Sequence, residues 1–269
     1  MASLVAPHRA TSSFIPTPSR LPQKLCIWAG PVMGVLFVIG FVIAGFFPPP
    51  SPDQTAAEVA AMIDRDRTAI RFGIVLCLAS CGLLMPFMTA FTIQMRRIEG
   101  TRPILAYTQL ALATMATIEF VIPYVFMLVS TYRADTDPEV TRALFDISWF
   151  FFLGVICTFV LQLAIFGAAI LMDRRETPIF PRWLGYTNLW LSLMFTPAST
   201  IVFFKDGPFA WNGVFVWWVP VTAFLVWFLP NFAMLLKAVD ADDLTPSERD
   251  RGLVDEVAEL RRRLDLLAD

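Results

Sequence analysis

The chain has 269 residues, of which 57% are hydrophobic and only 16% charged, with a net charge of −2 and a mean hydropathy of +0.62. A soluble domain carries about a quarter charged residues, so this composition points to lipid rather than water as the surrounding medium. The charge is unevenly spread: residues 1–239 hold 16 Lys/Arg against 13 Asp/Glu, and residues 240–269 hold five Arg against ten acids. Neither part has the basic stripe that a nucleic-acid binder requires.

A helix needs roughly 20 mostly apolar residues to cross the hydrocarbon. Six segments meet that requirement, at 27–47, 72–94, 104–130, 148–171, 184–204 and 213–236. The expected fold is therefore an all-α integral membrane protein of six transmembrane helices. It divides into a mobile cytoplasmic N-terminus (1–26), a six-span domain (27–239) and an acidic C-terminal helix (240–269).

Span one is too long for a signal h-region, and "GFFPPPSP" after it offers no small-residue cleavage site, so it reads as an uncleaved anchor. The proline-rich exit leads to a short outer helix, with Asp53 as its N-cap and Val59, Met62 and Ile63 on its apolar face. Basic residues gather in one set of short loops: Arg96, Arg97 and Arg102, then Arg174, Arg175 and Arg182. The opposite loops, at 48–71, 131–147 and 205–212, hold nine acids beside six basic residues. Positive charge favours the cytoplasmic side, so both termini are expected there. Arg outnumbers Lys 18 to 3, as is common in high-GC bacteria, which suggests the cell inner (plasma) membrane.

Cys26, Cys77, Cys81 and Cys157 lie in or beside apolar segments and read as small lipophilic side chains. The single histidine, His8, precedes the first span, and no metal constellation or cofactor site can be assembled. Phosphate-cradling glycine loops, G-x-S-x-G and paired intramembrane acids are all absent, so no enzyme class is indicated.

"RPILAYTQLAL" (102–112) and "PRWLGYTNLWL" (181–191) share L-[A/G]-Y-T-[Q/N]-L-x-L, and each opens an outward-going span after an arginine pair. This suggests a two-span hairpin repeated without inversion, pairing spans 3–4 with 5–6 and extending to spans 1–2. Tyr107 and Tyr186 fit the inner interface, and Gln109 and Asn188 lie two residues deeper, where an amide bonds neighbouring helices.

Glu119 is the acid that stands out, in "MATIEFVIPY" (115–124) near the middle of span 3. An ionised carboxylate there costs about 2.5–3.5 kcal/mol even on the forgiving insertion scale, so it is either protonated or partnered in a polar cavity. Pro123 deprives the Glu119 carbonyl of its helical hydrogen bond. On a helix Glu119 shares a face with Thr108, Leu112, Met115, Ala116 and Ile122, and Gln162 in span 4 is its nearest candidate partner. Pro197 in span 5 marks a second kink, flanked by hydroxyls of Thr196, Ser199 and Thr200 that can cap freed carbonyls. Glu119, Gln162, Thr108, Gln109 and Asn188 are the candidate ligand- or proton-binding residues. Trp211, Trp217 and Trp218 in the last outer hairpin read as interface-belt residues, with packing around a lipophilic ligand as the sharper alternative.

The tail opens on a capping box at Thr245, Pro246 and Glu248. Leu253, Val257, Leu260, Leu264 and Leu267 then follow at spacings of 4, 3, 4 and 3, a heptad seam suited to self-association or a partner groove. Two functions from different classes follow as expectations. One is a transporter or permease-like protein for a lipophilic or amphipathic solute, with Glu119 as its midplane binding or coupling residue. The alternative is a non-catalytic membrane subunit or scaffold assembled through the C-terminal helix.

Overall fold

The computed structural model describes residues 20–241, 256–261 and 263. These residues are helical without a strand, and five of the helical stretches are long and apolar enough to cross a membrane. With large apolar side chains such as Val35, Phe72, Val129 and Leu229 exposed, the chain is a multi-pass membrane protein.

Helix α1 (Arg20–Ile43) starts seven residues earlier than the expected first span. Helix α2 (Ala56–Cys81) overturns two expectations. Its N-cap is Thr55 and not Asp53: the Thr55 hydroxyl accepts from Glu58 N, and the Glu58 carboxylate accepts from Thr55 N at 2.8 Å. This capping box wins because both partners close on each other's orphan donors, which a lone aspartate two residues upstream cannot do. The short helix expected ahead of the second span is also continuous with it, and the break comes later, at Gly82–Leu83, before α3 (Leu84–Glu99). Val59 and Ile63 are buried as expected, with Met62 partly buried against the same cluster.

Helix α4 (Ile104–Tyr132) runs unbroken through Pro123. Its first turn is capped across the preceding loop by Glu99, whose carboxylate accepts from Leu105 N at 2.9 Å and Ala106 N at 2.7 Å. The expected fourth span forms in three pieces. Helix α5 (Pro138–Trp149) begins ahead of the expected span, a π-helical turn (Phe150–Gly154) follows, and α6 (Cys157–Met172) resumes after a break at 155–156. The expected fifth span forms helix α7 (Arg182–Phe195) followed by a 3₁₀ stretch (Thr196–Phe203), with Pro197 in the first turn of that stretch, and it is not among the five stretches long and apolar enough to cross. The kink expected at Pro197 is thus a change of helix type. The Thr196, Ser199 and Thr200 hydroxyls donate to the carbonyls of Ser192, Thr196 and Pro197. A π-helical turn (Val214–Trp218) leads into α8 (Val219–Ala241).

Polar contacts tie each end of the bundle together. At one end Lys24 pairs with Asp240 at 2.7 Å, Arg97 donates to Ala238 O, and Arg175 donates to Arg97 O at 2.6 Å. Asp173, 5% exposed, accepts from Ile179 N and from Arg175, ordering the turn into α7. Asp173→Ala takes the acceptor from those part-buried donors and is expected to cost about 1 kcal/mol, read as a lower unfolding midpoint in detergent.

At the opposite end Arg67 and Arg71 of α2 bind the last turn of α4. Arg67 donates to Thr131 O at 2.9 Å, while Arg71 donates to Thr131 O and to Tyr132 O at 3.0 Å. These cations meet the orphan carbonyls and the negative end of the helix dipole. Arg71→Met keeps the aliphatic stem and removes the donors. It is expected to destabilise by about 2 kcal/mol and to speed amide exchange in residues 128–132.

Two apolar clusters fill the bundle. One, towards the Lys24–Asp240 end, is built around Phe87, Phe91, Phe166, Trp227 and Leu235. The other, towards the Arg71 end, is built around Phe41, Phe46, Phe145, Trp149 and Trp217. Trp211 (5% exposed) and Trp217 (3%) belong to this interior and are not interface-belt residues; only Trp218 is exposed. The reason is that the segment ahead of α8 folds onto the bundle: Trp211 Nε1 donates to Pro50 O at 2.7 Å, and its ring stacks on Trp149.

Candidate functional site

Glu119 lies at the middle of α4, on the boundary between an exposed strip and the helix interface. Met115 and Ile118 on one side are exposed, whereas Ala116 and Pro123 on the other are buried. The carboxyl itself is half-buried. Its partner is Thr158, 8% exposed in the first turn of α6, whose hydroxyl donates to Glu119 Oε2. The break at 155–156 places this threonine at the start of a fresh helical turn facing α4. The expectation that Gln162 would pair with Glu119 is overturned, since neither polar atom of the Gln162 amide has a partner. Gln162 is one turn further along α6 and is buried in the bundle at 2% exposure, while Glu119 is only half-buried and meets Thr158.

Thr108 is also apart from this site: it is exposed, and its hydroxyl donates to Ile104 O at 2.9 Å within its own helix. A surface threonine on an apolar helix satisfies itself on the preceding turn. Thr158 was missed because a threonine in an apolar run carries no mark in the sequence; only its four-residue spacing to Gln162 hinted at it.

The remaining amides come together elsewhere. Gln109 (2% exposed), Gln162 (2%) and Asn188 (0%) line one small cavity with Phe91, Phe166 and Trp227. Asn188 is fully engaged: its Nδ2 donates to Leu184 O at 2.8 Å and to Asn231 Oδ1 at 3.3 Å, and its Oδ1 accepts from Trp227 Nε1 at 3.0 Å. Asn231 Nδ2 returns to Trp227 O at 2.6 Å. This network bonds α7 to α8, the gluing role expected of Asn188. The sequence reading named neither Asn231 nor Trp227.

A second cavity sits one turn from Glu119 towards the Arg71 end, lined by Phe41, Pro123, Tyr124, Trp149 and Phe152 among others. Around it the Tyr124 hydroxyl and the Trp149 and Trp217 indole N–H groups are buried with no partner. Pro123 thus walls an aromatic box rather than a carboxylate cavity.

Cys77 and Cys81 are buried and reduced, as their reading as small apolar side chains requires, while Cys157 is exposed. Among the described residues no three His, Cys, Asp or Glu side chains gather into a metal-holding group. The chain matches no protein-family model, no curated protein and no solved structure.

Proposed function

We propose that the chain is a permease-like membrane protein for a lipophilic or amphipathic solute, with Glu119 as the residue that binds it. The observation that carries this reading is the placement of one carboxyl at mid-helix, half-buried between α4 and α6, with one oxygen engaged by Thr158. A carboxyl beside hydrocarbon retains unmet hydrogen-bonding capacity. A solute with a cationic or donor group on an apolar body satisfies it while its body stays in lipid. The aromatic box one turn outward, with unpartnered donors on Tyr124 and Trp149, supplies a second polar station in an apolar setting.

The reading includes six spans, with α7 and its 3₁₀ extension as the fifth. Fourteen α-helical residues rise about 21 Å and eight 3₁₀ residues about 16 Å, together enough for a core of about 30 Å. Both termini are placed in the cytoplasm at the cell inner membrane, because the basic loops share the end where Lys24 meets Asp240. The hairpin repeat is supported by matched environments: Tyr107 and Tyr186 are 54% and 55% exposed, and Gln109 and Asn188 are both buried.

The test is uptake of tetraphenylphosphonium, a lipophilic cation, into proteoliposomes containing the wild-type chain or Glu119→Gln. Saturable uptake that vanishes in the variant, while the protein still purifies as a single species, supports the permease. Equal uptake by both sinks it.

The second reading, a scaffold assembled through the tail, draws on Val257 and Leu260. Both are exposed in the helical residues 256–261. Leu253, Leu264 and Leu267, like the Thr245 cap, lie outside the described residues. Deleting residues 245–269 dissociates the assembly under this reading and leaves uptake untouched under the first.

A further inference from the structure

The α4–α6 seam holds a second polar point, ten residues inward of Glu119 on α4. Here Gln109 and Gln162 face one cavity, yet they do not bond each other. Gln109 Nε2 reaches only the thioether of Met88 at 3.7 Å, a weak acceptor. Gln109 Oε1, Gln162 Oε1 and Gln162 Nε2 have no partner, on residues that are 98% buried. Orphaned polar atoms in such a place cost about 1–3 kcal/mol each unless something completes them.

The shape of the deficit identifies what completes it. Two acceptors and one donor are unmet, so the missing molecule must donate twice and accept once. Turning the Gln109 amide over would set its oxygen against a thioether that cannot donate and leave two donors and two acceptors unmet. Water, a double donor and double acceptor, completes either set; an ion completes neither. No charged side chain lines the cavity, which has room for about one water molecule. Asn188 and Trp227 on the far wall are already saturated by each other and by Asn231. They present a fixed polar rim without competing for the guest.

We propose that this cavity is a built site for one buried water that bridges Gln109 on α4 to Gln162 on α6. The helix pair that carries Glu119 and Thr158 is then joined inwardly through an exchangeable molecule rather than a direct side-chain bond. This inference stands independently of the solute proposed above.

X-ray hydroxyl-radical footprinting of the full-length chain in nanodiscs, with H₂¹⁸O, tests it directly. Radicals formed from an ordered interior water oxidise its aromatic neighbours, so Trp227 and Phe166 should carry ¹⁸O label several-fold above Phe87. Phe87 is 1% exposed in the same cluster but lines neither this cavity nor the aromatic one. Rates are corrected for intrinsic reactivity. Gln162→Leu and Gln109→Leu should each remove most of the label at Trp227. Label at Trp227 and Phe166 no higher than at Phe87 in the wild-type chain overturns the proposal, and that comparison needs no variant to fold. Label unchanged in both variants overturns it as well.

Discussion

Gly40→Ala and Gly73→Ala are each expected to prevent the membrane domain from reaching its native packing. A Cβ at Gly40 would lie 2.4 Å from Cys77 Sγ and 2.6 Å from Gly73 O, and a Cβ at Gly73 would lie 2.3 Å from Gly40 O. The α1–α2 hairpin therefore closes backbone to backbone at this crossing, and a carbonyl, unlike a side chain, cannot rotate away. Small residues permit such approach in lipid, where packing rather than water exclusion drives helix association. Overpacking in an ordinary core costs about 1–3 kcal/mol; a clash with backbone on both sides belongs at or above the top of that range. The control is Gly34→Ala, since nothing lies within 4 Å of a Cβ there. The readout is the yield of monodisperse protein and its unfolding midpoint in mild detergent. Wild-type behaviour of Gly40→Ala and Gly73→Ala would show that α1 and α2 do not cross this way.

Glu119→Leu is expected to raise stability while abolishing the response to a lipophilic cation. Two effects oppose each other. Removing the Thr158–Glu119 bond forfeits an interhelical hydrogen bond, worth on average about 0.6 kcal/mol in membranes. Removing a carboxyl from mid-bilayer recovers about 2.5–3.5 kcal/mol on the insertion scale. The second effect wins, leaving a net gain of about 2 kcal/mol, and the freed Thr158 hydroxyl can turn to a carbonyl of its own helix. The measurement is the unfolding midpoint of purified Glu119→Leu beside that of the wild-type chain. A clear loss of stability would mean that Glu119 is interhelical glue. Greater stability together with lost uptake is the signature of a residue kept for function at a structural cost.

The membrane class was legible from composition alone, and five of the six expected spans correspond to helical stretches long and apolar enough to cross. Helix boundaries were harder to read. The Gly82–Leu83 break, the π-helical turn at 150–154 and the 3₁₀ stretch at 196–203 all lie inside apolar runs. There hydropathy stays high whatever the backbone does, because lipid reads side chains and not hydrogen-bond register. The candidate residues were found by type, since a carboxyl or amide in such a run is conspicuous. Their pairing was not, and Gln162 was matched to Glu119 on depth alone. Depth leaves the angle around the helix free, and one turn of α6 separates the threonine that meets Glu119 from the glutamine that turns inward.

The sequence by itself therefore determined that this chain lives in a membrane, and it marked Glu119, Gln109, Gln162 and Asn188 as polar groups set in apolar runs. Only the tertiary structure decided how those groups divide: Glu119 with Thr158 across the α4–α6 contact, and Gln109, Gln162 and Asn188 around an inner cavity. The physical reason is that burial cost is a property of single residues and shows in a one-dimensional pattern. Partnership depends on the rotation and offset of whole helices, which the packing of glycines and aromatic rings sets far from the polar groups themselves.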